Sequence, residues 1–327
     1  MDRTLQIVPY ARLSRALSTR LVAVGARTSF AEAAATVAEL TGLSVSPETI
    51  RQHTEAQGQV LEETTQQAIE QVVRTREPAA PLDPAPGRLV VETDGVLVRY
   101  RDGWHEVKLG VVAGHVAGET KAASYVAART SAEAFGPRLL TEAARRGALE
   151  VVEWQGTVTR PGLAVLREVV VLGDGAPWIW NLAAEHFGAR TEIVDFYHAS
   201  EHLWAVAHAA YGETPKARRW AERQMGRLRE KGAAPVLRAL RAARGATAEM
   251  AEVLRRERGY FRTNAGRMAY GSYREQGLPI GSGAVEGSAK HLVQQRMKRP
   301  GARWSEAGAQ AVLNVRCPLL SGLPLAP

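Results

Sequence analysis

Cysteine and long hydrophobic runs are what this sequence has least of. Its only cysteine, Cys317, can form neither an internal disulfide nor a thiolate metal site, which fits a reducing compartment. No run of about eighteen apolar residues occurs, and arginines interrupt the N-terminal segment, so neither a membrane span nor a signal peptide is predicted. We therefore expect a cytoplasmic protein without a membrane partner.

The positive charge is unevenly distributed along the chain. The formal net charge is +8, yet residues 77–212 hold 12 basic and 17 acidic side chains. Residues 213–275 hold 16 basic and 7 acidic ones, and residues 276–327 hold 6 and 2. An acidic middle followed by a basic segment suits metal chemistry on a polyanion such as DNA.

The first 76 residues are predicted to be helical. Ser29 and Glu32 form a capping-box pattern, Gly42 is placed to end that helix, and Ser46 can cap the next one. Two helices around a glycine turn indicate either a helix-turn-helix or an ordinary helical hairpin, and the pattern leaves both open. On the first interpretation, three residues of the second helix contact DNA: Thr49, Arg51 and Gln52.

Residues 77–88 contain four of the 16 prolines, which favours an extended linker and a domain boundary. Beyond it, strands are predicted at 89–93, 96–100, 107–112 and 124–128, with a hairpin turn at Asp102 and Gly103. A helix over 132–146, a strand over 168–172, a helix over 178–187 and a strand over 192–196 follow. The order predicts a mixed α/β layer of ribonuclease H type, followed by helices.

Two Asp-Gly pairs follow apolar, β-prone runs. Asp94 ends the run Val90 to Thr93, and Asp174 follows the run Val169 to Gly173. Carboxylates at strand ends can hold two divalent ions, as phosphoryl transfer requires, and a following glycine leaves room for a phosphate backbone. A single Asp-Gly pair is more often an ordinary turn.

A third carboxylate comes from a glycine-rich helix start, Gly281-Ser-Gly-Ala-Val-Glu286-Gly. Lys290, Val293 and Met297 share a helix face with Glu286 by spacing, which would place the Lys290 ammonium beside the carboxylate. The alternative is a surface helix with an ordinary Glu-Lys pair.

These residues resemble the DDE transposases of bacterial insertion sequences, most closely the ISKra-type group and its Mutator-like relatives. The resemblance spans residues 28–316 and rests on VETDGV around Asp94, LGDGAPWIW around Asp174 and PIGSGAVEGSAKHLVQQRMK around Glu286. It implies that these three residues are catalytic and bind two Mg²⁺ or Mn²⁺ ions. It also implies cleavage at transposon ends, attack of the freed 3′-hydroxyl on target DNA, and a homodimer on double-stranded DNA in the bacterial nucleoid.

The resemblance also sets the domain organisation. It predicts a helix-turn-helix-like DNA-binding domain over 1–76, a linker over 77–88 and a ribonuclease H-like core over 89–200. A helical insertion over 201–277, a segment with the catalytic helix over 278–316 and a tail over 317–327 complete it. Full-length relatives begin with a cysteine-paired, zinc-ribbon-like segment that this chain lacks, so the alternatives are a non-catalytic DNA-binding protein or an inactive, N-terminally truncated relic.

Further residues have accessory roles in this hypothesis. Asp195 and His198 resemble the Asp-x-x-His signature of such transposases, although a histidine that begins a helix is more often structural. Trp178, Trp180 and Trp304 can stack on bases or pack the core. Basic residues in the insertion and around the catalytic helix are predicted to contact DNA phosphates: Arg218, Arg219, Arg223, Lys290, Arg296, Lys298, Arg299 and Arg303. The alternative is a basic helix surface that only faces solvent.

Overall fold

The computed structural model describes residues 13–75, 85–151, 164–243 and 247–325. Most of the predicted linker, up to Pro84, and the last two residues of the predicted tail lie outside these ranges. Within them, no helix combines the length and the apolar content needed to cross a bilayer.

A five-stranded mixed sheet forms the centre of the molecule, which confirms the predicted α/β class. Its strands are β1 (Arg88–Tyr100), β2 (Gly103–Val116), β3 (Glu119–Ala128), β6 (Val169–Gly173) and β7 (Arg190–Val194). The order is β3-β2-β1-β6-β7, antiparallel among β1, β2 and β3 and parallel from β1 through β6 to β7. A separate two-stranded sheet, which the sequence did not predict, pairs β4 (Leu149–Val151) with β5 (Ala164–Leu166).

The strands 89–93 and 96–100, predicted to be separate, are one continuous strand. β1 pairs with β2 without interruption from Arg88↔His115 to Tyr100↔Gly103, so the turn consists of Arg101 and Asp102, one residue before the predicted pair Asp102 and Gly103. Asp94 therefore lies within a strand rather than at its end, and that expectation was wrong. Pairing with β6, however, stops at Glu92↔Leu172, so Asp94 does lie just past the parallel part of the sheet.

The N-terminal segment contains three helices, α1 (Arg15–Arg27), α2 (Phe30–Thr41) and α3 (Pro47–Thr75). The predicted capping box of Ser29 with Glu32 and the left-handed Gly42 after α2 are both present. α3 is a single helix of 29 residues that packs on the C-terminal helix α13 (Glu306–Leu320). A Cβ on Gly58 of α3 would lie 2.2 Å from the carbonyl oxygen of Ala311, so the two backbones are in direct contact.

Helices cover both faces of the sheet. One face packs against α4 (Ala132–Arg145) and α5 (Pro177–His186), and the other against α11 (Gly283–Ser288) and α13. β6 is buried at every residue, as its uninterrupted apolar run predicts for a central parallel strand. The predicted helical insertion consists of α6 (Phe196–Tyr211), α7 (Pro215–Lys231), α8 (Ala233–Ala242), α9 (Ala248–Thr263) and α10 (Tyr270–Glu275).

The helix predicted from Glu286 to Met297 changes its geometry partway. After α11, Ala289–Gln294 form a π-helical turn, followed by the short α12 (Gln295–Met297). Glu286 and Lys290 are exposed, whereas Val293 and Met297 are buried. The four residues do not share one face, because each π-helical turn takes up more residues than the regular spacing assumes.

Candidate active site

The register of the parallel strands aligns three aspartates. β1 and β6 pair residues 80 positions apart, from Leu89↔Val169 to Glu92↔Leu172, and 174 − 94 is also 80. β6 and β7 pair residues 21 apart, and 195 − 174 is 21. Asp94, Asp174 and Asp195 therefore lie at one level, across three adjacent strands or the residues that directly follow them.

The surroundings of the Asp94 carboxylate disfavour its ionised form. Partial burial raises its pKa, and the negative charges of Asp174 and Glu106 raise it further. The amide of Gly95, which donates to Asp94 Oδ1 at 2.7 Å, and the imidazole of His198 lower the pKa, but the net direction is upward. A bound cation would remove this penalty because it favours the ionised carboxylate.

Asp174 is fixed by the turn into α5 and by α9. Its Oδ1 accepts the amide proton of Ala176 at 2.7 Å, and its carbonyl oxygen accepts the hydroxyl proton of Tyr260 at 2.9 Å. Gly175 has φ +104°, and a Cβ there would lie 2.8 Å from Tyr260 Cε2. The position thus needs glycine both for its left-handed backbone and for the packing of Tyr260.

The space beside each Asp-Gly glycine is taken up by the protein itself. A Cβ on Gly95 would lie 2.0 Å from Glu106 Oε1, just as Tyr260 fills the space beside Gly175. The expectation that these glycines leave room for a phosphate backbone was therefore wrong. Glu106 is paired with Lys108, whose ammonium lies 4.7 Å from the centre of the Trp178 ring.

Two buried carboxylates attach the start of α11 to the parallel strands. Glu92 Oε2 accepts the amide proton of Val285 at 2.8 Å, and Asp195 Oδ2 accepts from both the amide and the hydroxyl of Ser282. Burial raises the pKa of Glu92 to about 7, opposed by the Val285 amide and reinforced by the charge of Asp195. Glu92 was not singled out in the sequence, although its place two residues before Asp94 puts both on one face of β1.

Glu286 follows directly after this attachment, with an exposed side chain. No described hydrogen bond or ion pair links it to Asp94, Asp174 or Lys290. In the ranges given above, three or more His, Cys, Asp or Glu side chains are nowhere grouped closely enough to hold a metal ion. The structure thus aligns the two predicted aspartates and places the start of the glutamate helix against the strand that carries Asp94.

Asp195 and His198 are joined through the backbone. Asp195 caps α6, because its Oδ1 accepts the amide proton of His198 at 2.7 Å. The imidazole of His198 is partly exposed, with Nδ1 3.4 Å from Glu201 Oε2. The ring meets that of His202 edge-on at 5.1 Å.

A network from the helical insertion supports this edge of the sheet. Glu257 is fully buried and lies 2.5 Å from Nδ1 of His202. The His202 ring stacks on Tyr260 at 3.7 Å, and Tyr260 in turn bonds to Asp174. His202, Glu257 and Tyr260 were not predicted as site residues, although positions 198 and 202 on α6 and positions 257 and 260 on α9 lie at helical spacing.

The predicted DNA contacts on α3 and α7 lie at varied surface positions. Gln52 is exposed and Thr49 is half-buried, its hydroxyl 2.9 Å from that of Ser46. Arg51 is held by two glutamates of its own helix at 2.5 Å each, Glu48 and Glu55. The three predicted DNA contacts on α7 are all exposed: Arg218, Arg219 and Arg223. Arg218 is paired with Glu222 of the same helix.

The basic residues after α11 are divided between the interior and the surface. Arg296 is only 4% exposed and is stacked between Phe30 and Trp304. The expectation that it lies on an exposed face toward DNA was wrong. Arg299 is paired with Glu32, whereas Lys298 and Arg303 are exposed.

The tryptophans near the candidate site are mainly core residues. Trp180 is buried and lies under the guanidinium of Arg267, 4.6 Å away, and Trp178 is partly buried. Trp304 is 9% exposed and donates its indole proton to Met297. Of the two alternatives, stacking on bases and packing in the core, the structure shows core packing for Trp180 and Trp304.

Comparison with known protein families gives a match over nearly the whole chain. The model of an uncharacterised protein family (UPF0236) matches residues 1–325, nearly the whole chain. No curated protein matches the chain.

Proposed function

The chain belongs to the uncharacterised protein family UPF0236, and we propose that it is a DNA transposase of the DDE type. The observation that carries the proposal is the strand register, which brings Asp94 and Asp174 to one level on adjacent strands. Adjacent strands lie about 4.8 Å apart, which brings the backbones of the two aspartates within reach of a shared pair of cations.

The sheet supports a ribonuclease H-like core. Three antiparallel strands followed by two parallel ones, with helices on both faces, are the arrangement that the resemblance implies. The proposal assigns the interrupting helices α6 to α10 to the insertion, and α2 with α3 to a helix-turn-helix-like reader of DNA.

The proposed ligands suit divalent cations in their chemistry. Asp94 and Asp174 offer hard oxygen ligands, and burial, reinforced by the charges of Asp174 and Glu106, raises the pKa of Asp94, a penalty that a bound cation would relieve. Mg²⁺ or Mn²⁺ would supply Lewis-acid stabilisation of the reacting phosphate and would activate the attacking oxygen. Glu286 is the third proposed ligand, since α11 is attached through Val285 to the strand of Asp94.

The remaining residues position these groups. Glu92 and Asp195 hold the start of α11, and Tyr260 holds the backbone of Asp174. The proposal assigns to His198, whose charge lowers the pKa of Asp94, the role of orienting water or DNA. The proposed first reaction adds water across one phosphodiester, which breaks the P–O3′ bond and leaves a 3′-hydroxyl and a 5′-phosphate. The freed 3′-hydroxyl would then attack a phosphodiester of target DNA, forming a new P–O bond while the target's P–O3′ bond breaks and releases a target 3′-hydroxyl.

A divalent-ion-dependent nicking assay on duplex DNA tests the proposal. Asp94→Asn, Asp174→Asn and Glu286→Gln should each reduce nicking by at least about 10³-fold, because each removes a charged ligand from the proposed ion pair. Titration of the protein alone, without DNA, with Mn²⁺ should show binding. The variants Asp94→Asn and Asp174→Asn should lose this binding.

Asp102→Asn is the matched control, since Asp102 is an exposed aspartate of the β1–β2 turn. It should leave nicking unchanged. Retained nicking in any of the three variants would remove that residue from the site. DNA binding by the wild type without any ion-dependent nicking would favour a non-catalytic DNA-binding protein.

A further inference from the structure

A pocket lined by arginines lies at the end of β1, past the candidate active site. It has a volume of about 470 Å³ and is located where Tyr100 bridges to Trp304. Four arginines and one glutamate contribute to its lining, and we refer to it as the arginine pocket: Arg51, Arg101, Arg296, Arg303 and Glu55. With the glutamate bonded to Arg51, the other arginines give the pocket an excess of positive charge.

Arg296 is incompletely satisfied although it is buried. Its Nε donates to the carbonyl of Gly25 at 3.2 Å, but Nη2 has no acceptor among the described residues. Arg316, equally buried, instead donates to three carbonyls, those of Leu292, Ala26 and His291. A buried guanidinium nitrogen without an acceptor costs free energy, and an anion in the pocket would supply the acceptor.

Exposed groups of the pocket are also uncommitted. Arg101 and Arg303 flank Trp304 and form no ion pair within the described ranges. The pocket wall includes the N-caps of two long helices, Ser29 of α2 and Ser305 of α13, where the helix dipoles favour negative charge. Arginines and helix N-termini together form a setting suited to phosphate.

The positive surface extends beyond this pocket. A neighbouring pocket of about 300 Å³ shares Arg303 and adds Arg99 and Lys298. Trp104, also in its lining, is 58% exposed. A continuous basic surface fits an extended polyanion better than a single small anion, since successive phosphates can each meet a cation.

We propose that the arginine pocket binds a phosphate group of the DNA backbone. Tyr100 follows Asp94 by six positions along β1, a span of about 20 Å, which corresponds to about six base pairs from the phosphate being cleaved. The identification of DNA rests on the proposed function, whereas phosphate recognition rests on the pocket alone.

Phosphate recognition is tested first, by thermal unfolding with and without inorganic phosphate at constant ionic strength. The wild type should gain stability with phosphate, and Arg101→Gln/Arg303→Gln should lose at least half of that gain. These exposed arginines are chosen because a change at buried Arg296 would also disturb its bond to Gly25. Arg74→Gln/Arg88→Gln, an equal charge change with Arg88 at the opposite end of β1, should keep the full gain.

DNA recognition is tested by fluorescence anisotropy with labelled duplex DNA in EDTA. The pocket variant, Arg101→Gln/Arg303→Gln, should bind DNA about 10-fold more weakly at 0.1 M salt. The slope of log affinity against log salt concentration should fall by the amount expected for the loss of about one to two phosphate contacts. The control variant should lose less than 3-fold in affinity.

The outcomes separate this inference from the proposed function. An equal gain in thermal stability with phosphate in the pocket and control variants would overturn the claim that the arginine pocket binds phosphate. If the pocket variant loses the stability gain with phosphate but keeps its DNA affinity, the assignment of the pocket to DNA would be overturned. A free phosphate compound would then be the ligand. Loss of both responses supports the inference even when nicking is absent, a result that would count against the proposed chemistry alone.

Discussion

The stretch of strand β1 from Asp94 to Tyr100 has opposite deficits of charge at its two ends. Near Asp94, carboxylates lie close together, and the pKa of Asp94 is raised by its burial and by Asp174. Near Tyr100, arginines outnumber acids, and the pKa of Arg296 falls to about 10 because of its burial and the charge of Arg316. One end lacks cations and the other lacks anions.

The two deficits differ in how the protein tolerates them. The acidic end is held by hydrogen bonds from backbone amides, such as those of Gly95 and Val285, which stabilise carboxylates without neutralising them. The basic end is held by aromatic rings, since Phe30 and Trp304 lie on either side of Arg296. Both devices keep a charge in place while leaving it available to a ligand.

The largest expected effect is at the basic end. Trp304→Ala should lower the free energy of unfolding by about 3–5 kcal/mol, because it opens a cavity and removes one face of the Arg296 stack. Urea denaturation measures it. Trp104→Ala, which changes an exposed tryptophan, should stay within about 0.5 kcal/mol of the wild type. Equal costs for the two variants would show that the stack does not hold this end together.

A change of opposite sign is expected at the acidic end. The pKa of Glu92 is about 7 in the folded protein and 4.5 in the unfolded chain. The unfolded chain therefore loses its proton first as the pH rises from 4.5, which lowers the stability of the fold, and the full loss is reached above pH 7. Glu92→Gln removes this cost, and its amide oxygen can still accept from Val285. In EDTA at pH 8 the variant should be more stable by up to about 3 kcal/mol, and near pH 4.5 the difference should vanish.

Thermal unfolding from pH 4.5 to 8 distinguishes this effect from a general change in charge. Glu63→Gln, at an exposed glutamate of α3, should leave the pH dependence as in the wild type. A difference between Glu92→Gln and the wild type that is constant with pH would mean that Glu92 is not ionising in this range.

The smallest effect concerns the support of Asp174 by α9. Tyr260→Phe removes one hydrogen bond, 2.9 Å long, but keeps the ring stacked on His202, so a loss of about 1 kcal/mol is expected. Nicking, if present, should fall while Mn²⁺ affinity changes little. Tyr197→Phe, at a tyrosine that is 68% exposed, should change neither quantity. An unchanged nicking rate in Tyr260→Phe would limit the tyrosine to a structural role.

Local patterns were predicted well, and groupings across the chain less so. The capping box at Ser29, the left-handed Gly42 and the buried strand β6 each depend on a few neighbouring residues, and all three were confirmed. The single strand β1 was missed because Asp94-Gly95 reads as a turn, whereas pairing with β2 continues straight through it. The inward position of Arg296 was missed because its charge suggested a surface position, although it lies at helical spacing from the buried Ala289 and Leu292.

What the sequence determined by itself is the kind of element each segment forms and the chemical type of the residues at its ends, since capping, periodicity and turn preference act over a few residues. Only the tertiary structure decided which of those residues meet. The register of β6 on β1 aligned Asp94 with Asp174, and the packing of α1, α2 and α3 against the C-terminal helices brought Arg51 to Arg296 and Arg303. Such meetings depend on the packing of the whole core, which no local pattern encodes.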